Sequence, residues 1–229
     1  MSAPLTLALD ASTYTGSVAL IEGNQLLSEC EVAMRGEKEE RLMPAVESLL
    51  SGAGVRLADL GRIACGGGPG SFTSLRIAAA IGKGMAAGRG IPLYTASSLV
   101  LMVTGSPAGT IPGRYLAVLD ALRGDVYTAA YEVCESASGD DGEFEVLEIA
   151  PLTLIERESA GELAKSLGAR RIGPREELSA IPRASGFARI GASLERSGPV
   201  DLALWEPDYG RLAEAQVRWE REHGRPLQP

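Results

Sequence analysis

Two aspartates stand at the ends of apolar runs, each followed by a polar turn and a second apolar run. Asp10 closes Leu5-Thr6-Leu7-Ala8-Leu9 and precedes Ala11-Ser12-Thr13-Tyr14-Thr15. Asp120 closes Tyr115–Leu119 and precedes Ala121-Leu122-Arg123-Gly124-Asp125. A carboxylate in such a place can hold a divalent cation or sit beside a phosphate. It can equally accept the amide protons of its own turn, for Asp10 those of Ser12 and Thr13. For Asp120, with Arg123 and Asp125, the alternatives are a catalytic pair and a hairpin braced by an ion pair. In both places the structural reading is favoured and the chemical one stays open.

A third feature lies between them. Gly66-Gly67-Gly68-Pro69-Gly70-Ser71-Phe72-Thr73-Ser74-Leu75-Arg76 follows the apolar stretch Arg62–Cys65 and leads into the small-residue run Ile77–Gly88. That pattern is a strand, a glycine-dense turn and a helix that Ser71 or Thr73 can cap. Free amides at that helix start can meet an anion or another stretch of backbone. The spelling excludes a Walker loop, because Gly82-Lys83 is followed by Gly84 and Ile77 stands where the first glycine belongs. A dinucleotide fingerprint fails in the turn, where Thr73 occupies the third glycine position. Gly82-x-Gly84-x-x-Ala87 fits its letters but falls inside the expected helix, so it is set aside.

Composition removes further classes. The only histidine, His223, sits in a polar tail and is expected to be solvated, which leaves neither a Ser–His–Asp arrangement nor a two-histidine zinc helix. Cys30, Cys65 and Cys134 are odd in number and far apart, so neither a disulfide framework nor zinc spacing is visible. The net charge of −8 argues against a chain that grips nucleic acid by itself. Met1-Ser2-Ala3-Pro4 lacks a signal-peptide pattern and no apolar run reaches membrane-spanning length. A cytoplasmic setting and no membrane association are expected.

The elements that must position these residues follow from periodicity. Strands are expected at 5–10, 16–21 and 25–32, with a tight turn at Glu22-Gly23-Asn24. A helix is expected over 37–51, its apolar side made by Leu42, Met43, Val46, Leu49 and Leu50, with Pro44 bending it or marking where its regular part begins. A strand at 62–65, a helix at 73–89, a strand at 92–95 and a helix capped by Ser97-Ser98 complete a first lobe over residues 1–104. The run 105–113, rich in Gly, Ser and Pro, marks a boundary. A second lobe, 105–229, repeats the strand–Asp–turn–strand device at 115–120 and 125–132. A polar loop over 135–143 and helices at 159–167, 184–196 and 212–222 follow, the last expected to pack back on the first lobe. Alanines and glycines over 78–88 imply close packing, either within the lobe or against another subunit, since interior glycine otherwise weakens a helix.

At these residues the chain resembles the bacterial TsaB proteins. The resemblance rests on Leu7–Ser12, on Glu39–Leu50, on Gly68–Arg76 with Ser74 where glycine is usual, and on Asp120–Tyr127; Glu206-Pro207-Asp208-Tyr209 is similar to a Pro-x-Tyr segment near the family's end. Glu37-Lys38 departs from the His-Ser-Glu-like residues common there. The resemblance implies an α/β fold of two ribonuclease-H-like lobes, that of the actin, sugar-kinase and heat-shock-chaperone superfamily. It implies a non-catalytic subunit in N6-threonylcarbamoyladenosine modification of tRNA beside the anticodon. The transferase, TsaD, carries a metal-binding His-x-x-x-His pair, TsaE is a small ATPase partner, and a separate enzyme, TsaC, makes the threonylcarbamoyl-adenylate donor.

From the residues and the resemblance together, no catalytic or metal residue is expected. Helices 37–51 and 73–89 would pair with a second copy, when alone, or with TsaD. The residues assigned to that interface are Leu42, Met43, Val46, Leu50, Ser74, Arg76, Ala79, Gly82, Lys83 and Ala86. Asp10, Ser12, Gly68, Gly70 and Asp120 form a vestigial nucleotide-binding set, with ATP or ADP at the subunit boundary as the only cofactor considered. tRNA is expected only through the complex. The rival is a nucleotide-dependent phosphotransferase or ATPase in which Asp10 and Asp120 hold Mg²⁺ and phosphate; no lysine near either Asp, and Ser12 where active members usually place glycine, count against it. A third reading, a stand-alone RNA-binding module, is disfavoured by charge.

Overall fold

A computed structural model describes residues 3–36, 40–135, 144–210 and 223. The first sheet begins as a meander, β1 (Leu5–Asp10), β2 (Thr15–Glu22) and β3 (Gln25–Ala33). Next come α1 (Leu42–Gly52), β4 (Arg62–Gly66), α2 (Phe72–Arg89), β5 (Leu93–Ala96) and α3 (Ser98–Thr104). β1 runs antiparallel to β2 and parallel to β4, which gives the order β3-β2-β1-β4-β5. The chain then repeats the plan. β6 (Gly113–Asp120), β7 (Asp125–Glu135) and β8 (Phe144–Glu156) form a second meander, and α4 (Ala160–Leu167), β9 (Arg170–Gly173) and β10 (Leu178–Ser179) follow. The second sheet, β10-β9-β6-β7-β8, has the same order with equivalent strands in equivalent places.

β1 and β4 are largely apolar and almost wholly buried because both faces of the sheet are covered. Leu7, Leu9, Val18 and Leu20 pack on α1 and α2 through Leu42, Val46, Ala78 and Ala86. On the other face Ala8, Ala19, Ile21 and Ala64 meet Leu101 of α3 together with Ala184, Phe187, Ala188, Ile190 and Leu194. α3 also presents Leu99, Met102 and Val103 to Tyr115, Ala117 and Tyr131 of the second sheet, so one short helix is shared by both lobes. α4 covers the remaining face through Ala160 and Ala164.

The local expectations meet the structure in instructive ways. Pro44 is the third residue of α1, in the first turn where an amide has no intrahelical acceptor, so it marks the regular helix and does not bend it. The Glu40 carboxylate accepts the amides of Leu42 and Met43 there. Residues 37–39, the 136–143 loop and the 212–222 helix lie outside the described residues. The helix expected over 184–196 is divided into a 3-10 turn, Ala184–Arg189, and α5, Gly191–Ser197, with Ile190 non-helical between them. The turn is wound tightly against the end of α3, where a Cβ on Gly186 would lie 2.5 Å from Thr104 Oγ1. β8, thirteen residues long, falls where the sequence shows no clear strand pattern. Its mixed Glu, Leu and Pro composition suits a half-exposed edge strand and conceals the period.

Candidate functional site

Asp10 ends β1 with no solvent exposure. Oδ1 accepts the Ser12 amide at 2.9 Å and the Ser12 hydroxyl at 2.7 Å, and Oδ2 accepts the Ser98 hydroxyl at 2.6 Å. Burial pushes its carboxyl above the ordinary carboxylate range, against the opposing pull of the hydrogen bonds from Ser98 and Ser12. Gly66 lies directly behind it, so close that a Cβ there would overlap Oδ2. The Ser12 cap expected from sequence is therefore present. Ser98 is the partner that sequence did not reveal, since Ser97-Ser98 reads only as a helix start. Ser97 alone performs that cap, accepting the Leu99 amide, and this leaves Ser98 for Asp10.

The glycine run meets backbone. Gly67 N–H donates to Ala96 O at 2.8 Å, Gly68 N–H to Ser98 Oγ at 3.1 Å, and Ser71 N–H to Ser12 O at 2.7 Å. Its carbonyls accept in turn: Gly68 O from the Ser98 amide and Gly67 O from the Asp208 amide, both at 2.7 Å. Gly68, at φ +93°, would press a Cβ into the Asp208 carbonyl. Ser71 occupies the cap position of α2, but its hydroxyl pairs with Ser74 Oγ at 3.0 Å and accepts no helix amide. The glycines serve close approach of the chain to itself.

Between the lobes lies a cavity of about 330 Å³. Ser12–Thr15, Gly70 and Ser71 line one side; Val118–Leu122, Tyr127, Arg157, Pro174, Arg175, Glu176 and Ile181 line the other. Asp120 is 47% exposed and pairs with Arg157 at 3.2 Å while accepting the Leu122 amide. Arg157 and Arg171 also hold Glu176, at 3.6 and 3.3 Å. Leu122 and Arg123 adopt φ of +64° and +59°, which the hairpin requires and ordinary side chains resist. A Mg²⁺–nucleotide does not fit these donors in the manner the fold suggests. Asp10 is sealed behind Ser12 and Ser98, the glycine-run amides named above are engaged, and Asp120 stands beside a guanidinium. Among the described residues no group of three or more His, Cys, Asp or Glu is arranged to hold a metal.

The residues expected at a partner interface divide sharply. Leu42, Val46, Leu50, Ser74, Ala79, Gly82 and Ala86 are buried inside the first lobe. They are the faces of α1 and α2 that pack on the sheet; Gly82 stands 3.6 Å, from its would-be Cβ, to Cys65 Cβ and Leu93 Cδ1. Close packing within the lobe thus accounts for the small residues at 78, 79, 82 and 86. Met43 and Lys83 are half-buried, and Lys83 Nζ donates to Trp205 O at 2.9 Å. Arg76 is exposed but stacks on Phe72, 4.1 Å from its ring centroid. The outward residues of α1 and α2 include Pro44, Glu47 and Ser48 with Thr73, Ala80, Gly84 and Ala87.

Two lobes with duplicated strand order, an Asp at the end of each first strand and a cleft between, define the actin, sugar-kinase and heat-shock-chaperone fold. Residues 31–167 match the family model described as TsaD, tRNA N6-adenosine threonylcarbamoyltransferase. The "tRNA threonylcarbamoyladenosine biosynthesis protein TsaB" of Escherichia coli is 37% identical over 55% of this chain and 54% of its own length. The chain thus spans about half of that relative. The Bacillus subtilis protein of the same name is 29% identical over 93% of this chain and 96% of its own. YeaZ from Pseudomonas aeruginosa superposes with a TM-score of 0.71 at 25% identity, covering 90% of this chain and all but 1% of that one, its coverage being 99%. The chain belongs to this family and, within it, to the TsaB proteins.

Proposed function

We propose that this chain acts in the formation of N6-threonylcarbamoyladenosine on tRNA as a non-catalytic scaffold, pairing with a TsaD-like transferase and through it with a TsaE-like ATPase. The observation that carries the reading is the state of Asp10 and the glycine run: the groups that would do chemistry are engaged with Ser12, Ser98, Ala96 and Asp208. The names of the relatives supply the pathway. With its core-facing residues occupied, the surface offered to the partner is the outward side of α1 and α2, Pro44, Glu47 and Ser48 beside Ala80, Gly84 and Ala87. tRNA reaches the chain only through the complex, in keeping with its net charge of −8.

Reconstitution tests the role. Modified adenosine should form when the transferase, ATPase and donor-making enzyme are combined with this chain, and fall to background without it. Gly84→Trp tests the surface, because nothing lies within 4 Å of a Cβ at that position and the lobe should fold unchanged. Retained association with the transferase in that variant would move the interface elsewhere. The second reading, a nucleotide-dependent phosphotransferase or ATPase, is favoured by one observation, the cavity between the lobes. Calorimetry with Mg²⁺–ATP decides it: micromolar binding by the isolated chain, lost in Asp120→Ala, would support catalysis.

A further inference from the structure

We propose that residues 207–210 form an internal clamp that joins the two lobes across the cleft and fixes their angle without a bound nucleotide. The segment reaches both lobes within four residues. On the first lobe, Asp208 N–H donates to Gly67 O at 2.7 Å, and the Asp208 carbonyl fills the space that Gly68 leaves by lacking a side chain. The Tyr209 ring lies 4.6 Å from that of Phe72, and Arg76 Nε donates to its hydroxyl at 3.3 Å. On the second lobe, Tyr127 of β7 donates its hydroxyl to Tyr209 O at 3.1 Å. Gly210, at φ +67°, is wedged between the lobes: a Cβ there would lie 2.8 Å from Tyr127 Cζ and 2.9 Å from Pro69 Cβ. The Gly210 amide closes the turn onto Asp208 Oδ1 at 2.7 Å.

The geometry assigns these contacts a mechanical role because of where they stand. α3 joins the lobes through its apolar faces, whereas Tyr127 lines the cleft. Fixing two bodies both at α3 and beside the opening between them removes the freedom to open or close. In a two-lobed fold that freedom is what a ligand in the cleft would exploit. The glycine run, whose neighbours in an open cleft would be solvent or ligand, is here met by the Asp208 backbone. The clamp is independent of the proposed role in tRNA modification and can be tested on the isolated full-length chain.

Spin labels at Ser51→Cys and Ser166→Cys, in a Cys30→Ser, Cys134→Ser background, report the distance between lobes. The parent should give one narrow distribution that Mg²⁺–ADP leaves unchanged. Gly210→Val, which cannot keep the positive φ or the wedge, should broaden or shift it by several ångströms. An unchanged distribution in a Gly210→Val protein with parental circular dichroism overturns the clamp. So does a parent distribution that Mg²⁺–ADP narrows or shifts. If Gly210→Val does not fold, the double variant Tyr127→Phe, Arg76→Ala is read by amide exchange. Exchange at Asp208 should quicken by about tenfold while β1 amides keep their protection; equal rates at Asp208 overturn the proposal. Leu204→Ser, at an 80% exposed position, should leave both readouts unchanged, and a shift there equal to that of Gly210→Val also overturns it.

Discussion

Asp10 pairs a large desolvation penalty with three hydrogen bonds, and the penalty prevails, so its carboxyl sits above the ordinary 3.8. The folded state then binds this proton more tightly than the unfolded chain does. Asp10's contribution to stability is complete below about 3.8 and declines as pH rises through the folded value. Asp10→Asn carries no titrating group, so urea unfolding at stepped pH should show the parent losing stability relative to Asn across that window. A difference between the two proteins that is constant with pH would refute the assignment. Tyr131 presents a simpler case. Its hydroxyl is buried without a hydrogen bond of ordinary geometry, and burial pushes its pKa up against a weaker opposing pull from the Ser97 side chain. Tyr131→Phe should be neutral or stabilising by up to about 1 kcal/mol in thermal unfolding, since an unsatisfied buried hydroxyl is a burden. A clear loss of stability would reveal a partner.

Glycines within α2 and on the strand before it answer to different neighbours. Gly84 faces open space, so Gly84→Ala should stabilise by about 0.5–1 kcal/mol, the helix-propensity difference, read as a rise in the denaturant midpoint. Gly66 precedes the same helix at the end of β4, and Gly66→Ala should destabilise by about 3 kcal/mol or more, because its Cβ would displace the Asp10 carboxylate. Equal effects of the two alanines would contradict the packing described. The helix itself was legible from the small-residue run, and the strands β1, β2, β4 and β6 from their apolar runs. β8 and the division at Ile190 were not legible, because an edge strand and a tight 3-10 turn take their form from the neighbours that cover them.

At the scale of the molecule, the chain after β10 returns to the first lobe. Arg62, with a side chain only 7% exposed, pairs with Glu195 of α5, takes Thr6 Oγ1 as an acceptor at 2.6 Å and lies 5.5 Å from the Tyr94 ring centroid. Glu195, itself 58% exposed, is half solvated, so Glu195→Ala removes a counter-charge from a buried guanidinium that keeps Thr6 and Tyr94 and should cost about 1–2 kcal/mol. Chemical denaturation would check this, and a loss below about 0.5 kcal/mol would mean that Arg62 finds water instead. Val200, Leu202 and Trp205 continue the same return onto the first-lobe core, with Val200 N–H donating to Leu93 O and Trp205 O accepting from Lys83 of α2, so part of the face expected to meet a partner is covered by this chain's own later residues.

The order of residues determined the duplicated plan: apolar run, Asp, turn and apolar run occur twice, and a buried sheet needs such runs whatever packs on it. It determined equally that the only histidine stands far from both aspartates in sequence. The tertiary structure alone decided what the chemically suggestive groups face. Ser98 reaches Asp10, and Asp208 reaches Gly67, only when distant segments fold together, and local spacing carries no trace of a hydrogen bond that spans 88 residues, as that between Ser98 and Asp10 does. Whether a glycine-rich turn meets a ligand or its own backbone is a matter of what arrives there, and here the later chain arrives first.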